Sequence, residues 1–287
     1  MIRSIGSPVS PRDASVVGLV LGMKRLPTLP PLCMRISDAL RDDSRSMSDI
    51  GDLVSQDVGL TAKVLQVVNS ALFALPRTVA TPGEAAVVLG VDVLHALVLG
   101  SELFSSMDSG RGGAGVMNEL WSHSLDVACT TRTIAQLLDC PRRTADAAFL
   151  AGIVHEIGRV VFLLNGPQKY QTYRREVSTT DRQSPAVEMA IFGATHELVG
   201  ACLLDSWGLQ EEVVTSVAWH RRPSERPDPA IDTLCLLHLA DNLVPNTCES
   251  GQPGLDAGYL VSVGLADRVP EIVQWIVDRR ILGNDRE

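Results

Sequence analysis

Short apolar runs alternate along the chain with polar or proline-containing breaks, and the apolar positions recur every three or four residues. That period predicts α-helices of about 8–20 residues. Strand-like alternation closed by Asn-Gly or Asp-Gly turns is missing from the sequence, so the expected class is all-α. Breakers set the helix bounds. In LPTLPPL (26–32), Pro31 sits in the first turn of a helix running to about Leu40. Ser46 or Ser48 caps a helix ending near Gln56, and Asp57 or Thr61 starts another that carries Leu60, Val64, Leu65, Val67 and Val68. Thr81 caps the next, with Pro82 at its first position and Gly90 as its stop, and Asp92 opens the one after.

SSMDSGRGGAGVMN (105–118) carries four glycines and no apolar period, which predicts a flexible joint with 109–115 as its hinge. The chain then divides into an extension (1–22), an N-terminal helical subdomain (23–104), the joint (105–118), a second helical subdomain (119–250) and a C-terminal helical extension (251–287) whose last amphipathic helix lies near Val269–Arg279.

Composition narrows the function classes. With 287 residues, 45% of them apolar, the chain can bury a large core. VVGLVLGM near the start falls short of the roughly 18 residues that span a bilayer, and it lacks a basic leader and cleavage site. The expectation is a cytoplasmic protein without membrane contact. A formal net charge of −9 argues against a broad nucleic-acid face, because phosphate neutralisation needs surplus Lys and Arg. Arg221–Arg222 and Arg174–Arg175 read as solvated surface pairs. The six cysteines form no C-x-x-C pair and read as reduced thiols.

Candidate chemistry sits in the second subdomain. Four of the six histidines and two carboxylates fall in helices or at their ends in the order His123, His155-Glu156, His196, His220, Asp241. Imidazole and carboxylate together suit a divalent Fe, Mn or Zn ion. A helical bundle can aim such groups from several helices at one centre. Taken singly, each histidine reads as a hydrogen-bonded core or surface residue; the ordered set is the signal.

Two blocks carry a resemblance. The first runs from LPTLPPLCMRISDAL through MSDIGDLVSQDVGLTAKVLQVVNSALF to ATPGEAAVVLG. The second joins LWSHSLDVACTTRTIAQLL, AFLAGIVHEIGRVVFL, HELVGACLLDSWGLQEEVVTSVAWHRRP and HLADNLV. Over roughly 23–245 the chain resembles the HDOD domain, the HD-related output domain of bacterial signalling proteins. The resemblance implies an N-terminal helical bundle joined to an HD-like helical bundle, and a regulatory module without an established common activity. It also links the second block to the metal-dependent phosphohydrolases of the HD superfamily. On that likeness His123 matches the first ligand, His155-Glu156 the His-Asp doublet, His196 and His220 the later histidines, and Asp241 the closing aspartate. Arg159 stands where HD enzymes often carry a phosphate-holding Lys.

The departure is Glu156. One extra methylene adds about 1.5 Å of reach, so the carboxylate overshoots or folds back, which one metal tolerates better than a spaced pair. Three outcomes follow: a relic held by hydrogen bonds, a structural or sensory metal, or a catalytic site. Arg159 can alternatively pair with Glu156 at i,i+3. Among the HDOD-motif residues, Asp57 is expected to cap a helix, Gln56 and Asn69 to bond backbone groups, and Lys63 to be solvated; these, with Ser70, read as structural. His95 and His238 lie outside the ligand set and read as structural too. The leading expectation is a non-enzymatic signalling module that acts on a partner protein. The rivals are a phosphohydrolase of nucleotides or cyclic dinucleotides, and a small-molecule sensor with its nucleotide-type ligand between the two halves. The oligomeric state stays open.

Overall fold

A computed structural model describes residues 13–40, 42, 46–73, 75–105, 113–179, 184–245 and 254–284. Among these residues there are sixteen α-helices, three short 3-10 turns and no strand. The first half holds α1 (Ala14–Leu21), α2 (Pro31–Leu40), α3 (Met47–Ser55), α4 (Val58–Val68), α5 (Pro82–Leu89) and α6 (Val91–Ser105). Its bounds are chemical. The Ser46 hydroxyl accepts from the Asp49 amide while the Asp49 carboxylate accepts from Ser46, a reciprocal cap that opens α3. Asp57 caps α4 by accepting from the Leu60 amide and Thr81 caps α5 by accepting from the Glu84 amide, each without the reciprocal bond. Gly90, at φ 97°, stops α5 in a conformation that disfavours side chains. Helices α3 and α5 approach so closely that a Cβ on Gly51 would overlap the backbone of Gly83.

The second half holds α7 (Gly113–Leu137), α8 (Arg142–Val154), α9 (Ile157–Asn165), α10 (Pro167–Thr179), α11 (Ser184–Phe192), α12 (His196–Ser206), α13 (Glu211–Trp219), α14 (Thr233–Leu243), α15 (Ala257–Ser262) and α16 (Val269–Asn284). The expected joint is shorter than its composition suggests. Residues 106–112 lie outside the described residues, but 113–118 are the first turns of α7, not linker. Gly113, Met117, Leu120 and Ser124 are buried at helical spacing, a period that the glycines mask in the sequence.

One apolar core runs through both halves. The stretch 142–165 is long and apolar enough to cross a membrane, and 94% of its most apolar window is buried inside this core. Two terminal helices tie the halves together. Helix α1, in the expected extension, buries Val16 and Val20 and packs on α12. Helix α16 packs on α7 and on the 3-10 turn Ala71–Phe73, and the Trp275 indole N–H donates to the Thr133 carbonyl at 3.1 Å.

Candidate metal centre

The doublet does not sit inside a continuous helix. His155 closes α8 and Glu156 opens α9, so both occupy a single turn. Gly158 explains how this turn meets its neighbour: a Cβ there would overlap the carbonyl of His196, the first residue of α12. Helices α9 and α12 therefore touch backbone to backbone at this point. That contact brings two His-Glu dipeptides together, 155–156 and 196–197.

Around this contact α7 supplies His123, the end of α13 supplies His220, and α14 supplies Asp241. Neighbouring rings in the series His123, His155, His220, His196 have centroids 5.4–5.5 Å apart. Asp241 Oδ1 lies 3.1 Å from His123 Nε2 and 3.5 Å from His155 Nε2, and Oδ2 lies 3.9 Å from His220 Nε2. Glu156 Oε1 is 3.5 Å from His155 Nε2. His123, His155, Glu156 and Asp241 each offer one ligand atom within 4.8 Å of the others. Ions with donors at about 2.0–2.2 Å have neighbouring donors roughly 3–3.5 Å apart. The structure thus gathers His123, His155, Glu156 and Asp241 into one group with His220 beside Asp241, while His196 forms an adjoining group with Glu188 and Glu197.

Hydrogen bonds on the outer side fix the rings. His155 Nδ1 meets the Gly152 carbonyl and His220 Nδ1 the Val217 carbonyl, each at 2.8 Å. His196 Nδ1 lies 2.8 Å from both Glu188 oxygens, and its backbone N–H donates to the same carboxylate. Such bonds place the ring proton on Nδ1 and leave the Nε2 lone pair directed inward, the arrangement that orients metal-ligating histidines. Nε2 of His155, His196 and His220 is buried without a hydrogen-bond partner, and so are Glu156 Oε2 and both oxygens of Glu197. Buried polar atoms normally find partners, so this concentration points to a group that binds them. The residues present fit a divalent cation.

Charge agrees with that fit. Burial pushes the Glu156 carboxyl up, but Arg159, His196, His155 and Arg221 outweigh it and hold it below its ordinary value. Burial opposes the charge on Asp241 too, and Arg221 with the neighbouring His123 and His155 holds it well below the carboxylate range. Burial and Glu188 push the Glu197 carboxyl up, but His196, His220 and Arg221 outweigh them and hold it below its ordinary value. Burial takes His220 well below its usual value, despite Asp241, so its ring is neutral at neutral pH. His196 goes the other way: burial and Arg159 lower it, while Glu188 and Glu197 raise it further. Among the described residues, Glu156, Glu188, Glu197 and Asp241 face two guanidiniums, Arg159 and Arg221. A divalent ion offsets the two negative charges that remain, and a proton on His196 offsets one of them.

Three residues of this centre were not foreseen. Glu188 and Glu197 are fully buried, and Arg221, read as a surface residue, is 6% exposed with its guanidinium 3.8 Å from Asp241. Arg222, its expected twin, is half-buried, stacked over Trp219 and paired with Glu225. The sequence held one usable signal: the His-Glu dipeptide occurs twice. Arg159 NH1 donates to Glu156 Oε1 at 2.8 Å, and Arg159 Nε donates to Glu188 Oε1 at 3.3 Å. The longer carboxylate folds back onto this arginine with Oε1, the oxygen that also lies 3.5 Å from His155 Nε2, and Oε2 stays buried without a hydrogen-bond partner. His238 backs the site by joining the His220 carbonyl at 2.7 Å and accepting from the Asp256 amide.

The motif residues of the first half lie apart from this centre in helices α3 and α4. Asp57 caps α4 by accepting from Leu60. Asn69 bonds both the carbonyl and the amide of Val79. Ser70 donates to the Val67 carbonyl, and Lys63 is exposed. Gln56 departs from expectation: it accepts from the Arg35 side chain at 2.9 Å.

Comparison with known proteins agrees with this architecture. The HDOD domain model matches residues 26–223. A curated Treponema pallidum (strain Nichols) protein of uncharacterized function is 24% identical over 221 residues, 75% of this chain; the chain spans 42% of that relative's length. An HDOD domain protein of unknown function from Geobacter sulfurreducens superposes with a TM-score of 0.70 at 22% identity, covering 94% of this chain and 93% of its own. A Shewanella amazonensis SB2B protein, named as a candidate phosphohydrolase, gives 0.68 at 20% identity over 96% and 99%. A Marinobacter aquaeolei VT8 protein, named as a candidate signal transduction protein, gives 0.65 at 21% identity over 94% and 64%. The structural likenesses speak to the fold, and with the family match they lead to one conclusion: the chain belongs to the HDOD domain family.

Proposed function

We propose that this HDOD protein is a non-enzymatic signalling module that acts on a partner protein by contact, and that it is built around a closed divalent-metal centre. The observation that carries this reading is burial. His155, Glu156, His196, Glu197 and His220 are fully buried, and Asp241 and His123 are 2% and 4% exposed. Catalytic metals keep a coordination position open to substrate, whereas structural ones are enclosed. Arg159, the candidate for holding phosphate, is itself fully buried and engaged with Glu156 and Glu188. His123, His155, Glu156 and Asp241 would hold the ion, with His220 and His196 beside them. Bound there, Fe, Mn or Zn would neutralise the carboxylates and join helices α7, α8 and α14. The family match supports the signalling role.

The test is elemental analysis of protein purified without chelator or polyhistidine tag, beside a His155→Ala/His196→Ala variant. About one divalent ion per chain in the wild type and none in the variant is expected. Cyclic dinucleotides, nucleotides and bis-p-nitrophenyl phosphate should remain intact with Mn, Fe or Zn present. Turnover abolished by His155→Ala would establish a phosphohydrolase instead. Absence of metal after anaerobic loading would make the doublet a relic.

A further inference from the structure

A second polar feature lies away from the histidines. Where the first half, α7 and α16 meet, there is a cavity of about 380 Å³, within the range of small-molecule sites. One wall is apolar, formed by Leu72, Phe73, Leu75, Val88 and Ile276. The polar part of the lining is Arg132, Thr133 and Gln136 of α7, with Arg279 of α16. A second hollow of about 440 Å³ shares Val88, Leu89, Arg132 and Gln136 with the first, so the two form one elongated trough.

The two arginines distinguish this trough from an ordinary surface crevice. Arg132 is half-buried over the Phe149 ring, 5.9 Å from its centroid, and has no hydrogen bond or ion pair among the described residues. Arg279 stacks on Trp275 at 4.7 Å and likewise has neither. Each guanidinium has an aromatic ring against it and offers its in-plane N–H donors to no protein acceptor. Asp126 lines the first cavity and already has an interaction of its own, while Asp139 and Asp146 line the second, where Asp146 pairs with Arg142 and also acts on Arg132. Desolvating a guanidinium without an acceptor is unfavourable, and at the half-buried Arg132 an anionic ligand removes that penalty, while the exposed Arg279 adds a second cation at the rim. The apolar wall asks for the reverse chemistry, a hydrocarbon surface.

We propose that this trough binds an amphipathic organic anion, its carboxylate or phosphate head between Arg132 and Arg279 and its apolar body along Leu72, Phe73, Val88 and Ile276. Such a ligand touches α5, α7 and α16 together, and so bears on how the two halves and the C-terminal helix sit against each other. The site shares no residue with the metal centre, and its failure would leave the metal reading intact.

Isothermal titration of the full chain with decanoate, decyl phosphate and decanol tests the proposal. The two anions separate a carboxylate from a phosphate preference, and decanol keeps the tail without charge. One equivalent of at least one anion should bind at least about tenfold more tightly than decanol, the scale of a charge-assisted hydrogen bond. Arg132→Gln and Arg279→Gln should each weaken the anion about tenfold and leave decanol unchanged. Arg279 lies exposed on its helix, so its variant keeps the test decisive if Arg132→Gln fails to fold. Equal affinity for decanol, an anion affinity unchanged in the variants, or no anion binding below millimolar concentration would each overturn the proposal.

Discussion

The two halves use polar residues differently. In the first, Asp57, Asn69 and Ser70 spend their side chains on nearby backbone groups, while Lys63 stays in solvent. In the second, His155, Glu156, His196, Glu197 and His220 are fully buried and keep atoms without partners. Polar residues that build a fold close their hydrogen bonds within it. Polar residues that hold something else leave part of that capacity inward. The contrast teaches that satisfaction, more than burial or motif membership, separates architecture from site.

The comparison breaks most readily at Glu156. Glu156→Ala removes the shortest ion pair of the buried Arg159 and leaves it Glu188 and Ser184, and losing one partner of a buried pair costs about 3–5 kcal/mol. Urea denaturation of the metal-stripped protein should show a loss of that order. A loss below about 1 kcal/mol would mean that Arg159 reaches solvent or another acceptor. The same centre has a pH signature. Asp241, Glu156 and Glu197 have folded values below their ordinary 3.8, 4.5 and 4.5. Their contribution is therefore fully present above about 4.5 and is lost as pH falls through the depressed values. In the first half Glu102 is raised, by burial first and then by Asp57. Its contribution has the opposite sign: present below 4.5 and lost as pH rises through the raised value. Acid titration of melting temperature should steepen below pH 4.5 in the wild type and less so in Asp241→Asn. Equal acid sensitivity in the two proteins would deny the centre its role.

Gly158→Ala is the next largest disturbance. Its methyl overlaps the His196 carbonyl, and overpacking of a filled core costs typically about 1–3 kcal/mol. Moving α9 from α12 also separates the two His-Glu dipeptides, so metal content should fall together with melting temperature. Loss of stability with full metal occupancy would show that the ion does not depend on this contact.

Much of the first half was legible in the sequence because its helix bounds are local chemistry. Ser46, Asp57, Thr81, Pro82 and Gly90 act within a few residues of themselves. The ligand order was legible because the histidines are few. The outer members of the centre were not. Glu188 lies in an apolar helix and reaches His196 only after the chain turns at Gly193, with φ 83°. Arg221 and Arg222 look alike in sequence, and only the placement of α14 sends one inward to Asp241. The turn at 155–156 was hidden for a similar reason: the reason to break there is contact with α12, not a breaker residue.

Asn69 tests the other side of the contrast. Its amide holds Val79 through two hydrogen bonds of 2.9 and 2.7 Å, ten residues away in the chain. Asn69→Ala leaves a carbonyl and an amide to find water, at about 1–2 kcal/mol, with no change in metal content.

The smallest effects fall on the caps and the solvated motif residue. Asp57→Ala removes the acceptor for the Leu60 amide and should cost about 1 kcal/mol, while Asp57→Ser keeps most of it. Lys63→Ala should stay within about 0.5 kcal/mol, as exposed positions do. These three variants together ask whether the first-half motif is architecture alone. If Lys63→Ala abolishes signalling output while stability and metal content hold, the exposed face of α4 is a working surface. The two halves then divide the labour differently: one holds the ion, and the other meets the partner.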